Sequence, residues 1–233
     1  MSPLGAVVTA LLCGALGNLV PRLIAAIPEP AEPAADKQPY ADIAARPGLA
    51  WQSAVICAVI GALVGGAIGV RWPLLFLVPL VPVGMALALI DWRTRLLPTR
   101  IIAPTYLVLV PLVVIAALAS GEPRLLMRAA IGWAVMGGIY VLLWLVHPAG
   151  MGYGDVRLSG ILGIVLGYLG WGQLALGGWS GFLLGGVGGL VLVALKVIDK
   201  KHNPFGPWML IGALVGIVAG PAFAVWMWGD LAA

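Results

Sequence analysis

The sequence predicts an all-α, polytopic integral membrane protein with about eight transmembrane helices and both termini outside. Three observations predict it. Of the 233 residues, 62% are hydrophobic before the 33 glycines are counted, and only 9% are charged, where an ordinary soluble domain has about 25% charged. One water-soluble core cannot enclose that much apolar surface, so lipid is the solvent for much of it. Apolar runs of about 20 residues, the length that crosses a hydrocarbon core about 30 Å thick, recur along the chain. The basic residues are also spread unevenly over the loops between those runs. Composition thereby excludes a disordered chain, a collagen-like repeat and a soluble enzyme. A net charge of +4 is too small and too scattered to point to nucleic acid.

Taken in order, the spans are expected at residues 4–20, 51–70, 72–90, 101–119, 125–146, 158–176, 179–198 and 208–228. The second and third are separated only by Arg71 and Trp72 before Pro73, which predicts a tight hairpin. The sixth and seventh are joined through Gly177 and Gly178 without a charge. The first run lacks a preceding basic residue and its first positive charge, Arg22, follows it, so it reads as a retained helix and not as a cleaved signal. Residues 28–50 are rich in proline and small polar residues and read as an irregular cytoplasmic linker. The chain thus divides into residues 1–50, a first helix and short linker, and a membrane core over residues 51–233.

Orientation follows from the loops. Arg22, Lys37, Arg46, Arg93, Arg95, Arg100, Arg157, Lys196, Lys200 and Lys201 fall in or beside the odd-numbered loops, and only Arg71, Arg124 and Arg128 beside the even ones. The odd loops are therefore expected in the cytoplasm. Cys13 and Cys57 lie singly in apolar runs, where neither a disulfide framework nor a zinc cluster is available, and read as lipid-facing or packing residues. His147 and His202 have no second ligand at metal spacing and read as boundary residues. Tryptophans near span ends, among them Trp51, Trp72, Trp208 and Trp228, read as interfacial anchors. The glycines between 181 and 189 allow close helix packing in lipid.

The acids carry the chemistry. Glu29, Glu32, Asp36 and Asp42 sit in the linker, Glu122 and Asp230 on the outer side, and Asp199 beside Lys200 and Lys201. Elimination leaves Asp91, after the apolar run 83–90, and Asp155, which follows Gly152-Tyr153-Gly154. Both fall at the cytoplasmic end of a span. The two glycines permit unusual backbone angles and close approach of another chain. Two facing carboxylates suit peptide hydrolysis by activated water: an ionised one takes the water's proton and a protonated one donates to the scissile carbonyl. Like charges about 4 Å apart at an effective dielectric near 20 repel by roughly 4 kcal/mol, about three pKa units, so one member of such a pair stays protonated near neutral pH. The proton belongs to the pair. Arg93, Arg95 and Arg157 are expected to reach for the membrane surface.

With these residues in place, the sequence resembles the type IV prepilin peptidases, intramembrane aspartyl proteases of the Gly-x-Gly-Asp class. Asp91-Trp92-Arg93-Thr94-Arg95-Leu96-Leu97-Pro98 resembles the family's first block, and Gly152-Tyr153-Gly154-Asp155-Val156-Arg157-Leu158 its second, with Arg157 in the usual lysine place. Pro204-Phe205-Gly206-Pro207 resembles a third block. The resemblance implies that Asp91 and Asp155 are catalytic, that Gly152, Gly154 and Pro98 shape the site, and that the Pro-Phe-Gly-Pro segment supports the core. It makes residues 51–233 a transmembrane aspartyl protease core. It further implies cleavage after a glycine, at the cytoplasmic face of the bacterial inner membrane, of the basic leader of a type IV prepilin or pseudopilin, with no cofactor for proteolysis. The longer members add N-methylation with S-adenosylmethionine and carry two Cys-x-x-Cys pairs holding zinc in the first loop. Residues 28–50 have no cysteine or histidine, so that zinc module cannot form here.

Two other classes compete. A proton-coupled transporter would use Asp91 and Asp155 as a relay, but it would place acids across the bilayer and the chain shows no long internal repeat. An inert membrane scaffold would leave both acid motifs unexplained.

Overall fold

The computed structural model describes residues 1–29, 37–148, 151–196 and 204–229. Glu32, Asp36, Asp199, Lys200, Lys201, His202 and Asp230 lie outside them. Among the described residues all regular structure is helical: α1 (Pro3–Gly17), α2 (Val20–Ala25), α3 (Tyr40–Ala44), α4 (Leu49–Ile68), α5 (Leu74–Thr94), α6 (Thr99–Ala119), α7 (Arg124–Val146), α8 (Tyr153–Leu169), α9 (Trp171–Ala194) and α10 (Gly206–Trp228). Six of these, α4, α5, α6, α7, α9 and α10, are long and apolar enough to cross a membrane. The helices α1 and α8, at 15 and 17 residues, are shorter. The chain forms two compact units, Met1–Leu112 and Val113–Ala233, with the boundary inside α6.

In the first unit α1 lies antiparallel on α4. The buried positions of α1 are Gly5, Thr9, Cys13 and Gly17, one every fourth residue, and they face Ser53, Cys57, Gly61 and Gly65 of α4. Small side chains on both faces let the backbones meet, the usual source of helix association where lipid is as apolar as leucine. Thr9 Oγ1 donates to Gly61 O across the interface at 2.6 Å. Both cysteines are buried, so they are packing residues and not lipid-facing ones. Cys13 has a second role. Pro82 inside α5 has no N–H for the carbonyl four residues earlier, and the Cys13 thiol donates to that carbonyl, Val78 O, at 3.8 Å.

The linker differs from expectation. Its second half holds α3, whose Tyr40 and Ile43 are buried beside α2 and α5. A three-residue apolar spacing inside a proline-rich stretch suffices to anchor one helical turn. The predicted hairpin is present: Gly69, in the left-handed region at φ 74°, ends α4, and Leu74 N donates to Arg71 O at 3.0 Å to start α5.

In the second unit α8 is the central helix, with every residue from Leu158 to Tyr168 buried. It lies antiparallel to α7 through Gly132, Gly163 and Gly167. Its last turn is held by Arg128 of α7, whose guanidinium donates to Gly167 O at 2.7 Å and also to Tyr168 O. These carbonyls lack helical partners, and a cation at a helix C-terminus is favourable. The break after α8 falls at Gly170, not at Gly177 and Gly178. The latter pair lies within α9, where Gly177 is pressed against Gly212 and Gly216 of α10; the two glycines serve the α9–α10 contact instead of a turn. Trp208 fills the space that Gly188 leaves, where a Cβ would lie 2.5 Å from its ring.

Candidate active site

Asp91 sits in the last turn of α5, in the first unit. Leu87, Ile90, Asp91 and Thr94 form one buried face, the i, i+3, i+4, i+7 stripe of an amphipathic helix, while Trp92 and Arg93 are exposed. Asp91 is 4% exposed, and α5 runs on to Thr94. The helix ends at Arg95, which takes the left-handed conformation at φ 55° and donates its N–H to Asp91 O at 2.8 Å. A non-glycine residue is uncommon there, so the residues after Asp91 close the helix under some backbone strain. Pro98 then opens α6, accepting from Ile101 N and Ile102 N at 3.0 and 3.2 Å.

Asp155 sits in the first turn of α8, in the second unit, and is 7% exposed. It is tied to Gly152 reciprocally: Asp155 N donates to Gly152 O at 3.0 Å, and Gly152 N donates to Asp155 Oδ2 at 3.1 Å. This is a capping box in which a backbone carbonyl replaces the usual hydroxyl, and the acid sits at the positive end of the helix dipole. The glycines therefore do not act through a left-handed backbone. Gly152 has φ −70° and Gly154 lies inside the helix. What matters at Gly152 is the missing side chain, since a Cβ there would come 3.3 Å from Asp155 Oδ2. Tyr153 turns outward, its ring 5.2 Å from that of Trp144, and the Arg157 guanidinium lies 4.6 Å over it.

The third motif packs among aromatic rings of α7 and α9. Phe205 lies 6.1 Å from Tyr140 of α7 and 5.6 Å from Phe182 of α9, and Tyr140 and Phe182 are 4.9 Å apart. Gly185 makes room for this cluster, because a Cβ there would lie 2.6 Å from the Phe205 ring. Tyr140 is fully buried, and its hydroxyl has no hydrogen-bond partner among the described residues. An unpaired buried hydroxyl costs about 1–3 kcal/mol. Sequence reading overlooked Tyr140, although a tyrosine inside an apolar span, away from the interfacial belts, is itself a signal that its hydroxyl must be used.

An open cavity of about 970 Å³ lies within the second unit, lined by Arg128, Met136, Tyr140, Trp171, Phe182 and Trp228 among others. Asp155 is not among its lining residues.

Comparison with known proteins agrees with the motif order. The model of the type IV leader peptidase family matches residues 78–224, which include Asp91, Asp155 and the Pro-Phe-Gly-Pro segment. A protein of Escherichia coli (strain K12) named prepilin leader peptidase/N-methyltransferase is 28% identical over 57% of this chain and 58% of its own length. Its namesake from Pseudomonas putida is 30% identical over 75% of this chain and 57% of its own length, and that of Aeromonas salmonicida (strain A449) is 30% identical over 41% and 36%. The chain thus spans little more than half the length of the first two. No solved structure matches significantly. With the match running from the second turn of α5 to near the end of α10, the chain belongs to the type IV leader peptidase family.

Proposed function

We propose that this protein is a membrane-embedded aspartyl endopeptidase that removes the basic leader of type IV prepilin-like proteins. Asp91 and Asp155 act as one dyad: one ionised carboxylate takes a proton from water, and the other, protonated, donates to the scissile carbonyl oxygen. Gly152, Gly154 and Pro98 shape the surroundings of the two acids. The core is residues 51–233, preceded by a first helix and linker over residues 1–50. Eight helices cross the inner membrane, the termini lie outside, and cleavage after a glycine takes place at the cytoplasmic face. The substrate's apolar helix docks laterally from the bilayer, and its leader is unwound before attack, because an intact helix keeps its amides in internal hydrogen bonds.

The observation that supports this reading best is the pairing of burial with motif. The two acids singled out from the sequence are both nearly excluded from solvent, at 4% and 7% exposure, and both fall within the family-matched residues 78–224. Acids held at that degree of burial are costly unless they are used. Of the two activities in the relatives' shared name, only the peptidase is proposed. No cofactor is needed for it, and S-adenosylmethionine enters only if methyl transfer is found.

The test is reconstitution of the full chain in liposomes with a synthetic prepilin. Asp91→Asn and Asp155→Asn, made separately, are each expected to abolish cleavage while leaving helicity unchanged. Full cleavage by either variant would falsify the dyad. Supplying S-adenosylmethionine and weighing the mature N-terminal peptide tests the second activity, which a methyl gain would establish.

A further inference from the structure

Tyr153 stands between two glycines at the start of α8, so its side chain is the nearest handle, ahead of the acid, by which the first turn can be held. Glycine on either side leaves the backbone there unusually free, and the ends of helices are where local opening begins. The turn nevertheless has a demanding task. Gly152 N donates to Asp155 Oδ2 at 3.1 Å, and Gly152 O accepts from Asp155 N at 3.0 Å. Burial does not hold Tyr153, which is 47% exposed; two ring contacts do. Arg157, four residues along the same helix, sets its guanidinium 4.6 Å from the ring centroid. Trp144, in the last turn of α7, lies 5.2 Å from the ring at an interplanar angle of 57°. The first contact ties the opening turn of α8 to the next one. The second ties it to α7, which packs along α8 through Gly132, Gly163 and Gly167. A planar guanidinium stacks on an aromatic face more readily than a compact ammonium, which gives the arginine a use in the place that resembles the family's lysine.

We infer that Tyr153 and Arg157 are positioning residues for the reaction, with Trp144 as their anchor on α7: the stack fixes the first turn of α8 and, through the Gly152 amide, the Asp155 carboxylate. The proposal rests on the reading of Asp155 as catalytic. The three side chains act through one backbone amide and not on the substrate. A carboxylate that drifts from that amide loses rate more than binding, because reacting groups must meet within narrow limits of distance and angle. Loosening the stack therefore lowers kcat and spares KM.

The full chain in liposomes, with synthetic prepilin, tests this. Tyr153→Ala is expected to lower kcat about 10–100-fold with KM changed less than about 3-fold. Tyr153→Phe, which keeps the ring, should restore kcat to within about 3-fold of wild type. Arg157→Ala should lower kcat about tenfold in the wild-type background and less than about twofold further in Tyr153→Ala, because the ring it stacked on is already gone. A second measurement needs no activity. In protein carrying isotope-labelled glycine, the Gly152 amide should exchange with deuterium about tenfold faster in Tyr153→Ala, while the Gly163 amide in the middle of the same helix keeps its rate. Wild-type kcat in Tyr153→Ala overturns the inference. So does an unchanged Gly152 exchange rate, an equal Arg157→Ala loss in both backgrounds, or a loss carried by KM, which would make the stack a substrate contact. Equal quickening at Gly152 and Gly163, the mark of general unfolding, overturns it too. Asp155→Asn, run alongside, separates the outcomes: if it cleaves, the dyad reading fails and the positioning role falls with it. If it is dead while Tyr153→Ala cleaves normally, only the inference about the stack fails.

Discussion

The amide of Gly152 donates to Asp155 Oδ2 at 3.1 Å, so the residue that opens α8 also fixes the carboxylate three positions on. A Cβ at Gly152 would lie 3.3 Å from that oxygen, close enough to push it. Gly152→Ala is therefore expected to lower cleavage about tenfold, and Gly152→Pro, whose fixed φ near −65° suits the site but which lacks the N–H, about a hundredfold. Initial rates on synthetic prepilin decide it, with circular dichroism to show that the helices persist.

Glycine substitutions should sort by what faces them. A Cβ at Gly216 would lie 2.6 Å from Gln173 O and 2.7 Å from Gly177 Cα, both backbone atoms, whereas Gly138 has nothing within 4 Å. Gly216→Ala must part α9 from α10 and is expected to cost about 1–3 kcal/mol. Gly138→Ala should be neutral or slightly stabilising. Unfolding in mixed micelles, followed by denaturant titration, would show the difference.

Loss of Phe205 should be felt in stability. Phe205→Leu removes ring contacts with Tyr140 and Phe182 that are worth about 0.5–1.5 kcal/mol each. A stability loss of about 1–2 kcal/mol is expected on unfolding in mixed micelles.

Arg128 should matter for stability alone. It donates to two carbonyls at the far end of α8 from Asp155, and hydrogen bonds from a charged donor contribute about 1.5–3 kcal/mol. Arg128→Met is expected to lower the unfolding temperature while leaving the KM of the remaining folded protein unchanged.

The linker has a pH signature. Burial, and then the charge of Glu29, push the Tyr40 phenol above its ordinary value of 10.0. In the unfolded chain it ionises near pH 10, whereas the folded chain holds its proton longer. Its contribution is thus intact below pH 10 and is lost as pH climbs from there toward the raised folded value. Tyr40→Phe should blunt alkaline destabilisation in that window and leave neutral-pH behaviour alone.

How far the sequence reading reached depends on the kind of information each feature needs. Apolar run length is local, and for that reason six of the expected spans correspond to helices long enough to cross a membrane. Helix ends were less legible where glycines were involved. Gly170 ends α8, whereas Gly177 and Gly178, equally suited to a break by sequence, are needed for the packing of α10 against α9. The three motif blocks were visible as strings, and Asp91 and Asp155 could be singled out by eliminating the other acids. The recurrence of small residues at every fourth position in α1, at Gly5, Thr9, Cys13 and Gly17, is equally local and marks its packing face.

Residue order alone decided solvent, helical class and which acids stand where a span begins or ends, because each depends on composition within one turn or one run. Tertiary structure alone decided that Cys13 serves the carbonyl bared by Pro82 and that Phe205 packs against Tyr140 and Phe182. Those relationships join residues far apart along the chain, and only close packing of whole helices determines which distant side chains meet.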